Sequence, residues 1–445
     1  MPAGSFRFRR TGKKIAGRRA PPPSGRSTAS GRNRGPTGGI RTPMVRIPEP
    51  GEASRPPAAS GAAGPDEVSD WIVVGGGPHG VCAARALASQ GATVRIVDPA
   101  PRLLHRWEER AGTVGMTWMR SPQSHHLDAL PVALHHYLHR PENADVTALA
   151  GRFRRPLHAA FLRHSRDVIA RHDLEERRVT GRVSELRPDR GHLRVAGEGF
   201  TLRGRRVLIA TGSNTPRVPA WARRLRRDGA PIEHAFEPDP APFVDLIGSG
   251  ISAVQRALLV RRRTGRTVRL WMRRPLLVRP FDHDQAWSRH RFLHSWARLG
   301  DAERWDFLAR NPPRGSVPEG LAGRFDRAVR RGWIQVEEGV PQVERSAAEG
   351  RLLLRGRRRT VESEGITLVT GFEPETLPPW LRRAGRALDL PELEGLPRLG
   401  DDLEWGRGVH VSGPLARLRL GPVAGHLIGA RWATSMLPGV RMQPA

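Results

Sequence analysis

Three observations predict an α/β fold: a glycine signature after an apolar run, a second copy at the same spacing, and a late apolar strand carrying a glycine turn. Together they predict two Rossmann-like dinucleotide-binding domains, the second inserted into a discontinuous first. The first signature is WIVVGGGPHG (71–80), with Gly75, Gly77 and Gly80 at G-x-G-x-x-G spacing. The second is FVDLIGSGISA (243–253), where Gly248, Gly250 and Ala253 repeat that spacing. The late strand lies in GVHVSGPLARLRLGPVAGHLIGARWA (408–433).

Each copy has a physical rationale. The first glycine permits a tight strand-to-helix turn. The second lets the backbone approach a pyrophosphate, and the third, or an alanine, lets helix and strand pack closely. Pro78 and His79 open the first helix; Ile251 and Ser252 open the second. Unpaired N–H groups at these helix starts, aided by the helix dipole, can hold phosphates. Gly80 and Ala84, like Ala253 and Ala257, fall one turn apart and keep the sheet-facing side thin.

The copies diverge at the next strand tip. TVRIVDP ends on Asp98, whose carboxylate can accept hydrogen bonds from an adenosine ribose. TVRLWMRR has Met272 at the matching position, followed by Arg273 and Arg274. Guanidinium groups there can pair with a 2′-phosphate. FAD is therefore expected at the first site and NADPH at the second, or else the arginines fall there by chance in an arginine-rich chain.

The expected organisation is an Arg/Gly/Pro-rich disordered extension at 1–69, with translation starting as late as Met44; a first FAD-binding segment at 70–220; an NADPH-binding domain at 221–365; a returning FAD-binding segment at 366–437; and a tail at 438–445. The stretch RRVLIATGSNTPRVP (205–219) is expected to be a strand ending in a small-residue turn, Thr211-Gly212, close to the first dinucleotide. Thr370-Gly371 echoes it. A helical insertion at 282–331 carries Trp287, Trp296 and Trp305. It and the 105–140 loop are candidate walls of a dry pocket, or else these tryptophans simply fill a core. His125 and His126, with Gln123 and Ser124, are candidate cofactor or substrate contacts, or else solvated loop residues.

Composition excludes several classes. Cys82 is the only cysteine, so an internal disulfide and a C-x-x-C redox pair are both impossible. The formal charge is +30, yet Lys13 and Lys14 are the only lysines and the arginines are spread along the chain. No nucleic-acid-binding signature accompanies that charge, so no specific nucleic-acid partner is expected. No histidine set has metal-ligand spacing, and no metal is expected. No apolar run reaches membrane-spanning length, and a cytoplasmic location is the default expectation.

The sequence resembles the class B flavin monooxygenases over about residues 70–433, on GGGPHG, the ATG-x3-P-x2-P stretch at 210–219, GSGISA and VSGPLA…GPVAGHLIGAR. That group includes the lysine and ornithine N-hydroxylases. The resemblance implies that NADPH reduces FAD and that O2 then forms a C4a-(hydro)peroxyflavin, which oxygenates a small molecule, by N-hydroxylation or attack on another heteroatom. It demands no catalytic side chain. It also implies that Gly413 and the backbone around Gly425 approach the isoalloxazine. Two departures stand out. The linker fingerprint is out of register in RRDGAPIEHAFEP (226–238), leaving His234 as its candidate histidine, and Gly413-Pro414 stands where many relatives have Gly-Asp. The alternatives are a flavin reductase or oxidase without substrate oxygenation, and a non-catalytic flavin-binding regulator. Oligomeric state is not legible.

Overall fold

The computed structural model describes residues 67–441 apart from 213, 214, 313, 314 and 349. The expected extension at 1–69, Met44 included, therefore lies almost wholly outside the described residues. Its last three residues do not, and two of them, Val68 and Ser69, already belong to the first strand, Val68–Val74.

Two parallel sheets organise the chain. The first runs Glu404–Gly406, Val409–Val411, Phe200–Ile209, Val68–Val74, Val94–Asp98, Arg178–Thr180. All its neighbours from Val409–Val411 onward pair in parallel. Val68–Val74 sits mid-sheet because Trp71, Ile72, Val73 and Val74 are apolar on both faces, as a strand covered on both sides requires. The antiparallel strands Val183–Asp189 and His192–Gly197 lead into Phe200–Ile209 as a meander. The late strand Val409–Val411 rejoins this sheet beside Phe200–Ile209, so the first domain is discontinuous, as the sequence predicts.

The second sheet runs Ile334–Glu338, Val268–Met272, Asp245–Ile247, Ile366–Leu368, Ile232–His234, all parallel. Ile366–Leu368 is a correction to the expected boundary. The returning segment was expected to begin at 366, but this strand pairs with Asp245–Ile247 and Ile232–His234 in the second sheet. Its three side chains are buried and apolar or small, which suits a central position. The chain returns to the first domain only beyond it. Asp245, fully buried in this sheet, is held by Arg269 Nε (2.6 Å), Trp271 Nε1 (3.1 Å) and Ser363 Oγ (2.6 Å).

The two crossings between domains run side by side. Pro216 and Phe372 form an antiparallel bridge, Arg217 N–H donates to Gly371 O (2.9 Å), and Glu373 N–H donates to Thr215 O (2.9 Å). The Thr370-Gly371 echo of Thr211-Gly212 thus marks the return crossing.

The expected insertion is shorter than 282–331. Helix Glu319–Arg330 packs against helix Ile251–Thr264 and feeds strand Ile334–Glu338, so it is the crossover helix of the second sheet. The true excursion holds helices His290–Ala297 and Asp301–Arg310. Trp296, 1% exposed, donates its Nε1–H to Leu418 O (3.1 Å), and Trp287, Trp305 and Leu308 pack on the core containing Leu418 and Leu420. The excursion leaves the second domain and docks on the first. No helix among the described residues is long and apolar enough to cross a membrane.

Candidate functional site

The first signature forms a crevice at the start of helix Pro78–Ser89, where no side chain caps the helix. Gly75 has φ +116, and a Cβ there would lie 2.5 Å from Ala210 O. A Cβ on Gly80 would lie 1.8 Å from Gly75 O, so strand and helix touch through it. A Cβ on Gly77 meets nothing within 4 Å, leaving its backbone open. Close packing at two glycines and an open approach at the third, beside uncapped N–H groups, fits a diphosphate.

Asp98 lies at the expected tip. Its carboxylate accepts N–H bonds from Gly76 (2.6 Å) and Ala100 (2.8 Å), which aims it across the crevice mouth while leaving lone pairs for hydroxyl donors. Thr211 and Gly212 close the neighbouring strand end, with Gly212 exposed at φ +66.

The second signature repeats this geometry at helix Ile251–Thr264, which Gly250 opens without a side-chain cap. A Cβ on Gly248 would lie 2.4 Å from Val369 O, and Ala253 is fully buried behind it. Gly250 faces Gly315, whose Cα would be 3.9 Å from a Cβ on Gly250. Arg273 and Arg274 are exposed directly after strand Val268–Met272. Ile251 and Ser252 occupy the first helical turn.

The C-terminal segment brings its glycines to the first crevice. Gly413 has φ +86 and stands beside the His79 ring; Ser412 Oγ is 2.8 Å from His79 Nδ1. Burial pushes the His79 imidazole down to about 4, the carbonyls of Gly425 and His426 opposing the shift. Its Nε2 is buried with no hydrogen-bond partner of good geometry. His79 therefore stands at the point where the 412–413 and 425–426 turns converge on the helix start.

Beside that point opens a cavity of about 810 Å³, lined by residues 279–285, Trp287, Leu308, 310–312, Glu375, Pro414, Arg417 and Pro422 with 424–426. Its walls come from the excursion and from the returning segment. The 105–140 segment, expected as a loop, forms helices His105–Val114 and Ala133–Leu138 and contributes no lining residue. It acts through Arg120 instead, which pairs with Asp282 (2.8 Å) and donates to Ser316 Oγ (2.6 Å) and Ser316 O (3.0 Å), and more weakly to Pro280 O and Arg279 O (both 3.4 Å). Arg155 adds a bond to Pro280 O (2.7 Å). These bonds fasten the root of the excursion to the first domain.

Four histidines from separate segments cluster here: His79, His125, His283 and His426. The His283 and His426 rings meet edge-on at 4.7 Å, and His283 Nε2 lies 2.6 Å from Ser288 Oγ. Burial, with Arg431 and His426 adding to it, lowers His125 to about 4; burial and the His426, Arg120 and His125 charges lower His283 to about 3. All are neutral near pH 7. His125 is half-buried and His126 is not solvated at all. His126 is fully buried, its Nε2 3.2 Å from Pro131 O, in a network in which Asp128 meets Arg171 (2.7 Å) and His164 (3.4 Å). His234 is buried at the inter-domain crossing, near Gly371 and Phe236, and Phe236 stacks on Phe372. Among the described residues no His/Cys/Asp/Glu group has metal-binding geometry.

Sequence reasoning missed Arg120, His283 and His426 as site residues. Arg120 belongs to no motif, and the two histidines come together from positions 143 residues apart in sequence, 426 − 283. The Gly425-His426 pair, just before an apolar helical run, was the one available signal.

The sequence matches the pyridine nucleotide-disulphide oxidoreductase family over residues 69–291, a span that takes in both glycine signatures and the crossing between them. The chain belongs to that family. Its disulphide chemistry has no counterpart here, because Cys82, the lone cysteine, is 1% exposed inside the first helix. No curated protein matches the sequence. Solved structures share the fold. A cadaverine monooxygenase of desferrioxamine biosynthesis from Erwinia amylovora, bound to FAD, is 16% identical with a TM-score of 0.66, covering 85% of this chain and 98% of its own. An ornithine N-hydroxylase from Kutzneria sp. 744 is 16% identical with a TM-score of 0.64, covering 83% and 98%. The ornithine hydroxylase of Pseudomonas aeruginosa is 21% identical with a TM-score of 0.64, covering 84% and 100%.

Proposed function

We propose that this chain is an NADPH-dependent, FAD-containing monooxygenase that N-hydroxylates a small primary amine. The single observation that carries this reading is the cavity: it opens at the Gly413–Gly425 end of the first crevice, where the flavin ring is expected, and a docked excursion walls it. The neighbours named above, an FAD-bound cadaverine monooxygenase and two ornithine hydroxylases, support the same reaction class.

Gly75, Gly77, Pro78, His79, Gly80 and Asp98 would hold the FAD diphosphate and ribose, with Thr211 and Gly212 at the adjoining strand end. Gly413 and Gly425 would approach the ring. Gly248, Gly250, Ile251, Ser252, Arg273 and Arg274 would hold NADPH. Bound FAD supplies hydride acceptance and oxygen activation; the protein positions the substrate and keeps water out. Arg120 keeps the cavity wall in place, and the neutral histidines leave the pocket free of imidazolium charge that would repel an ammonium. The wall itself is mixed in charge: Asp282, Asp284 and Glu375 stand with Arg279, Arg310 and Arg417, and Asp282 is paired with Arg120. The lone buried Cys82 argues against a dithiol cycle.

The test is direct. Purified protein is expected to carry FAD, and NADPH is expected to reduce it anaerobically. With cadaverine, ornithine and lysine as probes, one of the amines should give hydroxylamine at the expense of peroxide. Reduction by NADPH with peroxide as the only product for every amine would favour the reductase or oxidase alternative. FAD binding without faster reduction by NADPH would favour the regulator.

A further inference from the structure

We propose that His426 is the proton-handling residue of the cavity: its imidazole meets the substrate nitrogen and takes the proton that nitrogen sheds as its N–O bond forms. This rests on the monooxygenase reading above. His426 lines the cavity and directly follows Gly425, so it stands where the expected flavin ring and the substrate space meet. Its backbone N–H is used by Val423 O (2.9 Å) and its carbonyl by Ala430 N–H (2.9 Å), which fix the residue at the head of helix Leu427–Met436. The ring has no hydrogen-bond partner among the described residues. It is steered instead by His283, whose own ring is anchored to Ser288 and meets it edge-on at 4.7 Å. An oriented imidazole with both nitrogens uncommitted, facing an empty polar cavity, is a proton acceptor in search of a donor.

The charged and titratable groups around it act in opposite directions. Asp282 favours its protonation, Arg120 opposes it, and His79, His125 and His283 crowd it from three other segments. Burial dominates and lowers its affinity for protons, so it rests neutral.

The step balances. R–NH2 + O2 + NADPH + H+ gives R–NHOH + NADP+ + H2O. One N–H bond, the hydride-donating C–H bond of NADPH and the O–O bond break; one N–O bond and three O–H bonds form. NADPH supplies two electrons and the nitrogen supplies two, and together they reduce both oxygen atoms. A newly oxygenated ammonium is a much stronger acid than an alkylammonium, so a weakly basic imidazole is matched to receive its proton. From His426 that proton passes to the oxygen atom that leaves as water.

The experiment uses the full-length holoprotein with His426→Ala and His426→Gln, and the amine that the wild type hydroxylates best. FAD content and anaerobic flavin reduction by NADPH should stay within about twofold of wild type in both variants. Hydroxylamine formation should fall on the order of 100-fold, with the NADPH electrons appearing as peroxide. Glutamine can accept a hydrogen bond but cannot carry a proton, so it should rescue amine binding and not product. Added imidazole should partly restore product in the alanine variant alone. A wild-type hydroxylamine-to-peroxide ratio in either variant overturns the proposal. So does loss of FAD from both, which would make His426 a flavin-holding group. A wild type that hydroxylates no amine refutes the parent reading, an outcome distinct from a coupled wild type with coupled variants.

Discussion

Replacing Arg120 with alanine should loosen the root of the excursion without unfolding either sheet. The side chain gives Asp282 an ion pair and donates to Ser316 and to two backbone carbonyls of 279–280. Removing one partner of a fully buried pair costs roughly 3–5 kcal/mol. Here the two side chains are 17% and 27% exposed. Asp282 also keeps Ser316 N–H (2.7 Å) and Ser316 Oγ (3.0 Å) as donors. The expected cost is therefore about 2 kcal/mol, roughly a 30-fold rise in local opening. Hydrogen exchange reads this at the amides of Arg279, Ser316 and Val317, bonded respectively to Val317 O, Asp282 Oδ1 and Leu277 O. The amide of Gly75, bonded to Val97 O in the first sheet, is the internal control. Lysine at 120 should fall between wild type and alanine, because one ammonium cannot reproduce a guanidinium fork. Unchanged protection at 279, 316 and 317 in the alanine variant would refute the assignment of Arg120 as the fastening residue.

Other outcomes follow from the same geometry. Gly77→Val should give a folded, colourless protein, since its side chain enters open space where the diphosphate belongs; normal FAD stoichiometry in the absorbance spectrum would contradict that. Gly80→Val should instead give insoluble protein, because its side chain collides with Gly75 O. Arg273→Ala with Arg274→Ala should raise the KM for NADPH about tenfold or more while leaving that for NADH within about twofold, and equal shifts would remove the 2′-phosphate contact. Stability should fall on acidification from about pH 6.5. Burial holds His79 and His125 down to about 4 and His126 and His283 down to about 3 in the fold, against about 6.5 for a free imidazole, so the unfolded chain binds protons first; their contribution is complete above about 6.5 and drains away toward pH 3. Asp128, also held low in the fold against burial by His164 and Arg171, adds a further loss below about pH 4, and denaturation midpoints from pH 4 to 8 check the slope.

The glycines were legible because the turn each signature opens is local to one strand–turn–helix and leaves its trace in adjacent residues, whereas the close approaches of Gly75 to Ala210 O and Gly248 to Val369 O come from neighbouring strands and are not. The same holds for the late strand Val409–Val411, a short Val-His-Val segment that the following glycine turn and helical run mark out in the sequence. Ile366–Leu368 was harder, since a three-residue Ile-Thr-Leu strand suits either sheet and only pairing decides. Glu319–Arg330 was read as part of an insertion because a crossover helix and an extra helix share one periodicity; its contact with Ile251–Thr264 tells them apart. The cavity's working groups were least visible. Arg120, His283 and His426 meet only through tertiary packing, and arginine is too common in this chain for one to stand out.

The paired passage between the domains has a mechanical consequence. Two lone tethers would let one half of the molecule swivel about each independently. Segments Thr215–Arg217 and Gly371–Glu373 are instead laced into a ribbon by the two backbone bonds of one antiparallel bridge, so any swivel must shear them together, at about 1 kcal/mol for each bond given up. The Trp296 bond to Leu418 O and the Arg120 contacts at the root of the excursion add further ties to the first domain. Such a frame favours chemistry completed in a single pose over a cycle that shuttles between orientations.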